Sequence, residues 1–170
     1  YARPVLTRYI RDKFPEFGIC VVSPDAGGVA RARSYAKRLE AGLAIIDKRR
    51  SGPNEIGEMN VVGDVAGKVC ILVDDIVDTG GTLAMAAEAL SKAGAKKVLA
   101  VCSHAVLSGS AATKLAQSCI ESVIVSDSIE HADVSQFGGK LVRLSVAGMF
   151  GEAIRRIHLE DSVSGLFETE

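Results

Sequence analysis

Tryptophan is absent from this 170-residue chain, and aromatic residues make up only 5% of it. Little is left from which to build a base-stacking platform for nucleic acid. An excess of one charge sign is also missing: 20 Lys+Arg face 21 Asp+Glu, a net charge of −1. That balance excludes a basic nucleic-acid module and an acidic disordered tail. No apolar run approaches the ~18–20 residues of a membrane span. The four cysteines, Cys20, Cys70, Cys102 and Cys119, contain no CxxC pair. Three sit in apolar runs and read as buried free thiols, which fits a reducing, cytoplasmic compartment. The histidines His104, His131 and His158 have no zinc-like spacing.

What is present is ordinary globular composition, 48% hydrophobic and 24% charged, long enough for one domain with a real core. Charge is spread unevenly. Residues 1–50 hold 11 basic and 5 acidic groups, whereas residues 51–170 hold 9 and 16. Two solvated faces would give this pattern. So would a site needing cations for phosphate and carboxylates for a metal or for hydroxyls.

Short apolar runs alternate with helical patterns. Pro4–Phe14 has Pro near its start and Val5, Leu6, Tyr9 and Ile10 on one face. Ile19–Ser23 reads as a strand, followed by the turn Pro24-Asp25-Ala26-Gly27-Gly28 and a helix to about Leu39. Leu43–Asp47 is the next strand, and Lys48–Glu58 a charged loop. Lys68–Asp74 carries the unbroken run Val69–Val73, which suits a central parallel strand covered on both faces. Asp75–Gly81 is a loop, and the helix after it presents Leu83, Ala86, Ala87 and Leu90 before Gly94 stops it. Further strands are predicted at Val98–Ser103, Ser122–Val125 and Leu141–Leu144, and a helix at Ala111–Gln117. A last helix, Val146–His158, is expected to turn Met149, Phe150, Ala153, Ile154 and Ile157 inward. The whole is α/β, a mostly parallel sheet with helices on both faces. Such sheets bind ligands at the carboxyl ends of their strands. The loops at 24–28, 48–58 and 74–82 fall there.

The segment Val73-Asp74-Asp75-Ile76-Val77-Asp78-Thr79-Gly80-Gly81-Thr82 carries most of the chemistry. Thr79 or Thr82 is expected to cap the helix it opens. Backbone N–H groups at 79–82 and the helix dipole favour an anion, and the glycines allow close approach. This is a phosphate cradle without the Lys of a Walker A loop and without GxGxxG. Asp74 and Asp75 would repel that phosphate unless they face ribose hydroxyls or a shared Mg²⁺. The competing reading is a capped turn. Three aspartates in five residues argue against it, because such repulsion needs a ligand or cation to offset it. Asp25, beside flexible glycines at a strand end, suits either Mg²⁺ near a pyrophosphate or an Asx turn. Lys48, Arg49 and Arg50 are either a solvated charge run or a closing set of cations.

VDDIVDTGGT resembles the phosphoribosyl-pyrophosphate motif of the type I phosphoribosyltransferase fold. VVSPDAGGVARAR, AIIDKRRSGPNE and the tail SVSGLF are similar to ribose-phosphate diphosphokinase, the phosphoribosyl pyrophosphate synthetase family. The resemblance runs from about Tyr1 to Phe167 and covers that family's C-terminal domain. Residues 1–170 are thus expected to form one phosphoribosyltransferase-like domain, with the N-terminal half of the subunit outside the chain.

The resemblance implies the reaction of ATP with ribose 5-phosphate to give AMP and phosphoribosyl pyrophosphate. It implies that Asp78, Thr79, Gly80, Gly81 and Thr82 hold the 5-phosphate. Asp74 and Asp75 would face the ribose hydroxyls, Asp25 would be a Mg²⁺ ligand, and Lys48 and Arg50 would be catalytic. Ser162, Ser164 and Phe167 match a tail that in the family contributes to a regulatory phosphate site between subunits, although Gly165 replaces an aromatic there. The implied partners are the missing N-terminal domain and further copies in a homo-oligomer, with no nucleic acid and no membrane. The alternatives are a phosphoribosyltransferase, for which no base-recognising hood is visible, and a non-catalytic synthetase-associated regulatory subunit. His104, at a strand end, reads as a satisfied histidine.

Overall fold

A computed structural model describes residues 2–14, 18–48, 59–130 and 135–166. Seven strands form one sheet in the order β3-β2-β1-β4-β5-β6-β7. In chain order they are β1 (Ile19–Ser23), β2 (Gly42–Lys48), β3 (Met59–Val62), β4 (Val69–Val77), β5 (Lys97–Ala105), β6 (Ser122–Ser126) and β7 (Leu141–Leu144). All neighbours pair in parallel except β3, which runs antiparallel to β2 at the edge. The described residues hold five α-helices: α1 (Arg3–Lys13), α2 (Val29–Leu39), α3 (Gly81–Lys92), α4 (Ala111–Gln117) and α5 (Ala147–His158). The α/β architecture with a mostly parallel sheet is therefore as expected.

The run Val69–Val73 is apolar without alternation because both faces of β4 are covered. Val69, Ile71 and Val73 pack with Leu6 and Ile10 of α1 and Tyr35 of α2. Cys70 and Leu72 pack on the other side with Leu83, Ala87 and Leu90 of α3. Strand geometry sends successive side chains to opposite faces, so one unbroken run serves two cores. Each such side chain contributes roughly 1.5–3 kcal/mol by leaving water. Cys20, Cys70 and Cys102 are buried free thiols in these layers, and Cys119 is exposed. Burial pushes the Cys102 thiol far up, so its thiolate is not a nucleophile here.

The structure differs from the sequence expectations at four places. β3 was not anticipated: four residues at an edge, alternating between half-buried and exposed, leave a weak pattern. β4 runs three residues beyond Asp74, because Ile76 and Val77 pair with His104 and Ala105 of β5. Asp75 thus lies within the strand, and the loop is only Asp78–Gly80. Neither Thr79 nor Thr82 caps α3; its N-cap is Gly80, in a left-handed conformation with φ of 72°, and no side chain caps it. Finally, α5 buries none of its residues. Phe150, Ile154 and Ile157 are 58%, 66% and 67% exposed, so their stripe faces outward. Met149 alone of the five packs against the α1/α2 core.

Among the described residues, no helix is long and apolar enough to cross a membrane.

Candidate active site

The carboxyl ends of β1, β2 and β4 bring three separated stretches of sequence together. The central one is the β4–α3 junction. Gly80 must be glycine on two counts. Its positive φ is costly for other residues, and a Cβ there would lie 3.0 Å from Leu115 Cγ. This turn starts α3 without a side-chain cap, leaving its first N–H groups directed at the loop mouth. The positive end of the helix dipole lies there as well. Asp78 is tied down from the next loop: its Oδ1 accepts a hydrogen bond from Ser108 Oγ. Its carbonyl accepts the Ser108 N–H at 3.1 Å.

Lys48, the last residue of β2, reaches this junction. Its Nζ lies 3.4 Å from Thr82 Oγ1. Arg50 and Phe167 lie outside the described residues.

The turn after β1 holds Asp25. Its Oδ1 accepts the Gly28 N–H at 2.9 Å, and its carbonyl accepts Ser23 Oγ–H at 2.6 Å. The turn is drawn so tight that a Cβ on Gly28 would lie 2.7 Å from Ser23 Oγ. The side chain therefore makes the Asx-type bond that its sequence suggested. Asp25 Oδ2 accepts no hydrogen bond among the described residues. No cluster of three or more His, Cys, Asp or Glu side chains able to hold a metal occurs among those residues.

Asp74 and Asp75 meet a partner that the sequence reading missed. Arg31, in the first turn of α2, donates from Nη1 to Asp74 Oδ1 at 2.8 Å and from Nη2 to Asp75 Oδ2 at 2.6 Å. One planar guanidinium spans both carboxylates. The repulsion inferred from sequence is thus offset in part from within the chain. Burial raises the Asp74 carboxyl above its usual range. Burial acts the same way on Asp75, but its pairing with Asp74 and the Arg31 charge prevail and hold it low. The two carboxyl groups therefore titrate as a pair, with Asp74 pushed up and Asp75 held down.

Beside this cluster is a cavity of about 570 Å³, lined by Arg31, Asp75, His104, Ser128 and Phe150 among others. His104 is exposed, and its Nδ1 lies 2.9 Å from Ser128 Oγ.

At the C-terminus, Arg156 ties the tail to α5. Its Nη1 donates to the Ser162 carbonyl at 3.1 Å, and Ser162 Oγ accepts the Ser164 N–H at 3.2 Å. The segment up to Leu166 is thus anchored and ends in a short 3-10 turn. Ser162 and Ser164 are both exposed.

The phosphoribosyl synthetase-associated domain family matches residues 50–168 of this chain. The chain belongs to that family. A ribose-phosphate pyrophosphokinase of Agrobacterium fabrum is 50% identical over 168 residues, which are 99% of this chain and 54% of the relative. A ribose-phosphate pyrophosphokinase 1 of Listeria monocytogenes is 51% identical over 164 residues, 96% of this chain and 51% of its own. The chain spans about half the length of the curated relatives it matches. Among solved structures, the phosphoribosylpyrophosphate synthetase of Mycobacterium smegmatis matches with a TM-score of 0.85 at 38% identity, covering 94% of this chain and 51% of that one. An adenine phosphoribosyltransferase matches at a TM-score of 0.56 and 21% identity, over 72% of this chain and 76% of that one. That second likeness establishes the phosphoribosyltransferase-type fold and nothing further.

Proposed function

We propose that this chain is the ribose 5-phosphate and catalytic-loop domain of a ribose-phosphate pyrophosphokinase, and that residues 1–170 correspond to the C-terminal half of its subunit. The observation that carries the reading is the uncapped N-terminus of α3, opened by Gly80 in a left-handed turn and approached by Lys48. A phosphate monoester seated there would take the free N–H groups of residues 79–82 and the hydroxyls of Thr79 and Thr82. Asp78, fixed by Ser108, shapes the loop. From that anchor the sugar would lie toward Asp74 and Asp75, whose oxygens accept hydrogen bonds from its hydroxyls. The named relatives support the same assignment.

In the proposed reaction the ribose 1-hydroxyl attacks the β-phosphorus of ATP. A bond forms from the hydroxyl oxygen to that phosphorus, and the bond from the phosphorus to the α,β-bridging oxygen breaks. AMP leaves, and the hydroxyl proton passes to solvent or base. Such transfer depends on positioning and charge neutralisation. Lys48 and Arg50, on and beyond the end of β2, supply cations toward the transferring group.

Mg²⁺ fits what the chain offers. Asp25 presents one carboxylate oxygen beyond its turn bond, and Mg²⁺ characteristically takes one or two carboxylates with phosphate oxygens and water. Bound there, it would neutralise charge on the diphosphate. The remaining protein ligands and the adenine-binding parts are assigned to the missing half. We also assign Ser162, Ser164 and Phe167 to a regulatory phosphate site between copies in a cytoplasmic homo-oligomer. Retention of Lys48, Asp78 and Thr82 disfavours a non-catalytic regulatory subunit.

The test is calorimetric titration of ribose 5-phosphate, with Mg²⁺, into the chain and into Asp78→Ala and Thr82→Ala. Binding by the parent that both variants lose is the expected result. Binding that survives both substitutions would remove the phosphate from this cradle.

A further inference from the structure

We infer that Arg31 is a positioning residue for sugar recognition: it aims Asp74 and Asp75 at the ribose hydroxyls without touching the phosphate. The inference rests on the site reading above and adds a residue to it. Consecutive residues in a regular strand project to opposite faces. Asp74 and Asp75 are consecutive in β4, yet one guanidinium binds both. The fork therefore gathers two carboxylates that strand geometry alone would separate.

Their remaining bonds show what is left for a ligand. Asp74 Oδ1 accepts both Arg31 and the Asp75 N–H at 2.9 Å. Asp75 uses Oδ2 for Arg31 and Oδ1 for the Ile76 N–H at 2.9 Å. Arg31 and the two N–H groups thus use only Asp74 Oδ1 and take one bond on each Asp75 oxygen, while the two carboxyl groups also pair with each other. An ionised oxygen has room for more than one hydrogen bond. The pair thus keeps acceptor capacity while Arg31 offsets its charge. The Asp75 side chain is 58% exposed, so that capacity is open to a sugar from the loop mouth.

Arg31 also links two motifs. It sits one turn past the Asp25 turn, and its Nη1 would be 3.5 Å from a Cβ on Gly28. Holding β4 to the start of α2 fixes the carboxylates relative to that turn. Lysine cannot do the same, because a single ammonium on a flexible stem lacks the planar fork.

The experiment compares ribose 5-phosphate with inorganic phosphate as ligands, for the parent chain, Arg31→Ala, Arg31→Lys and Asp74→Ala, by calorimetry, with melting temperatures as a fold check. Arg31→Ala is expected to weaken ribose 5-phosphate by roughly tenfold or more, because a site built for hydroxyls loses its aim. Inorganic phosphate should change less than about twofold, and Arg31→Lys should not restore sugar affinity. In an Asp74→Ala background, Arg31→Ala should cost much less than it does alone. An equal loss for both ligands would show a general structural or electrostatic role and overturn the assignment. Full rescue by lysine would overturn it too, since charge alone would then suffice. A parent that binds phosphate but not ribose 5-phosphate refutes the sugar site itself, whatever the variants do.

Discussion

Lys48 and Thr82 are 34 residues apart in sequence, yet Lys48 Nζ lies 3.4 Å from Thr82 Oγ1. The contact joins the end of β2 to the first turn of α3. It is longer than a charge-assisted bond of about 2.7–2.9 Å. Lys48 is therefore near the cradle without being spent on it. Lys48→Ala should leave ribose 5-phosphate affinity within about threefold, the loss of a weak contact. On the proposed function, turnover by a subunit of the relatives' length should fall by at least ~100-fold, as when a transition-state cation is removed. Calorimetry and steady-state kinetics on the same variant separate the two effects. An equal loss of affinity and turnover would make Lys48 a ground-state binding residue.

Gly80 and Gly81 are adjacent but play different parts. A left-handed non-glycine residue costs ~1–2 kcal/mol, and a Cβ at Gly80 would also press on Leu115. Overpacking adds ~1–3 kcal/mol. Gly80→Ala should therefore destabilise the chain by about 2–5 kcal/mol in urea denaturation. Measured against Leu115→Ala alone, Gly80→Ala should then cost only the backbone part. At Gly81 a Cβ meets nothing within 4 Å. Gly81→Ala should leave stability unharmed and, on the proposed function, weaken phosphate binding, because the backbone could no longer approach the phosphate as closely as glycine allows. Equal stability of the two variants would contradict this division.

The sheet was legible because its signal is local. An unbroken apolar run between turn residues marks a strand covered on both faces, and β4 shows it. The β4–α3 junction was legible for a similar reason, since Asp78–Thr82 is a contiguous string where a strand gives way to a helix. Its capping was misread. The threonines supply a familiar N-cap chemistry, but the left-handed turn at Gly80 takes that position itself. Arg31 was out of reach for a different reason. Its partners are 43 and 44 residues away, and no period or spacing connects them. The available hint was indirect: three aspartates at one strand end required a cation, and Arg31 lies one turn beyond a neighbouring strand's end.

The α5 helix shows the limit of periodicity. Its apolar stripe is real, but a stripe says only that something covers it, not what. Among the described residues Phe150, Ile154 and Ile157 remain exposed. The polar side of the same helix is better defined, because its charges find partners within a turn.

That polar side gives a pH prediction. Glu152 Oε2 accepts Arg155 Nε at 2.8 Å, and Oε1 accepts Arg156 Nε at 2.8 Å. The hydrogen bonds from Arg155 and then Arg156 hold its carboxyl at about 2, below the ordinary 4.5. A carboxyl depressed by folding stabilises above its unfolded value, and the contribution disappears as pH falls through the folded value. The melting temperature of the parent should therefore exceed that of Glu152→Gln by a constant margin above pH ~5. The margin should shrink between pH 4.5 and about 2 and be gone below that. It will be small, because exposed ion pairs are heavily screened, so a local reporter is needed. Amide exchange at Asp161 supplies one: its N–H donates to the Arg156 carbonyl at 2.8 Å, where α5 meets the tail. Protection there should follow the same pH window in the parent and be flat in Glu152→Gln. A margin unchanged down to pH 2 would mean that the two arginines hold Glu152 no more tightly in the folded chain than in the unfolded one.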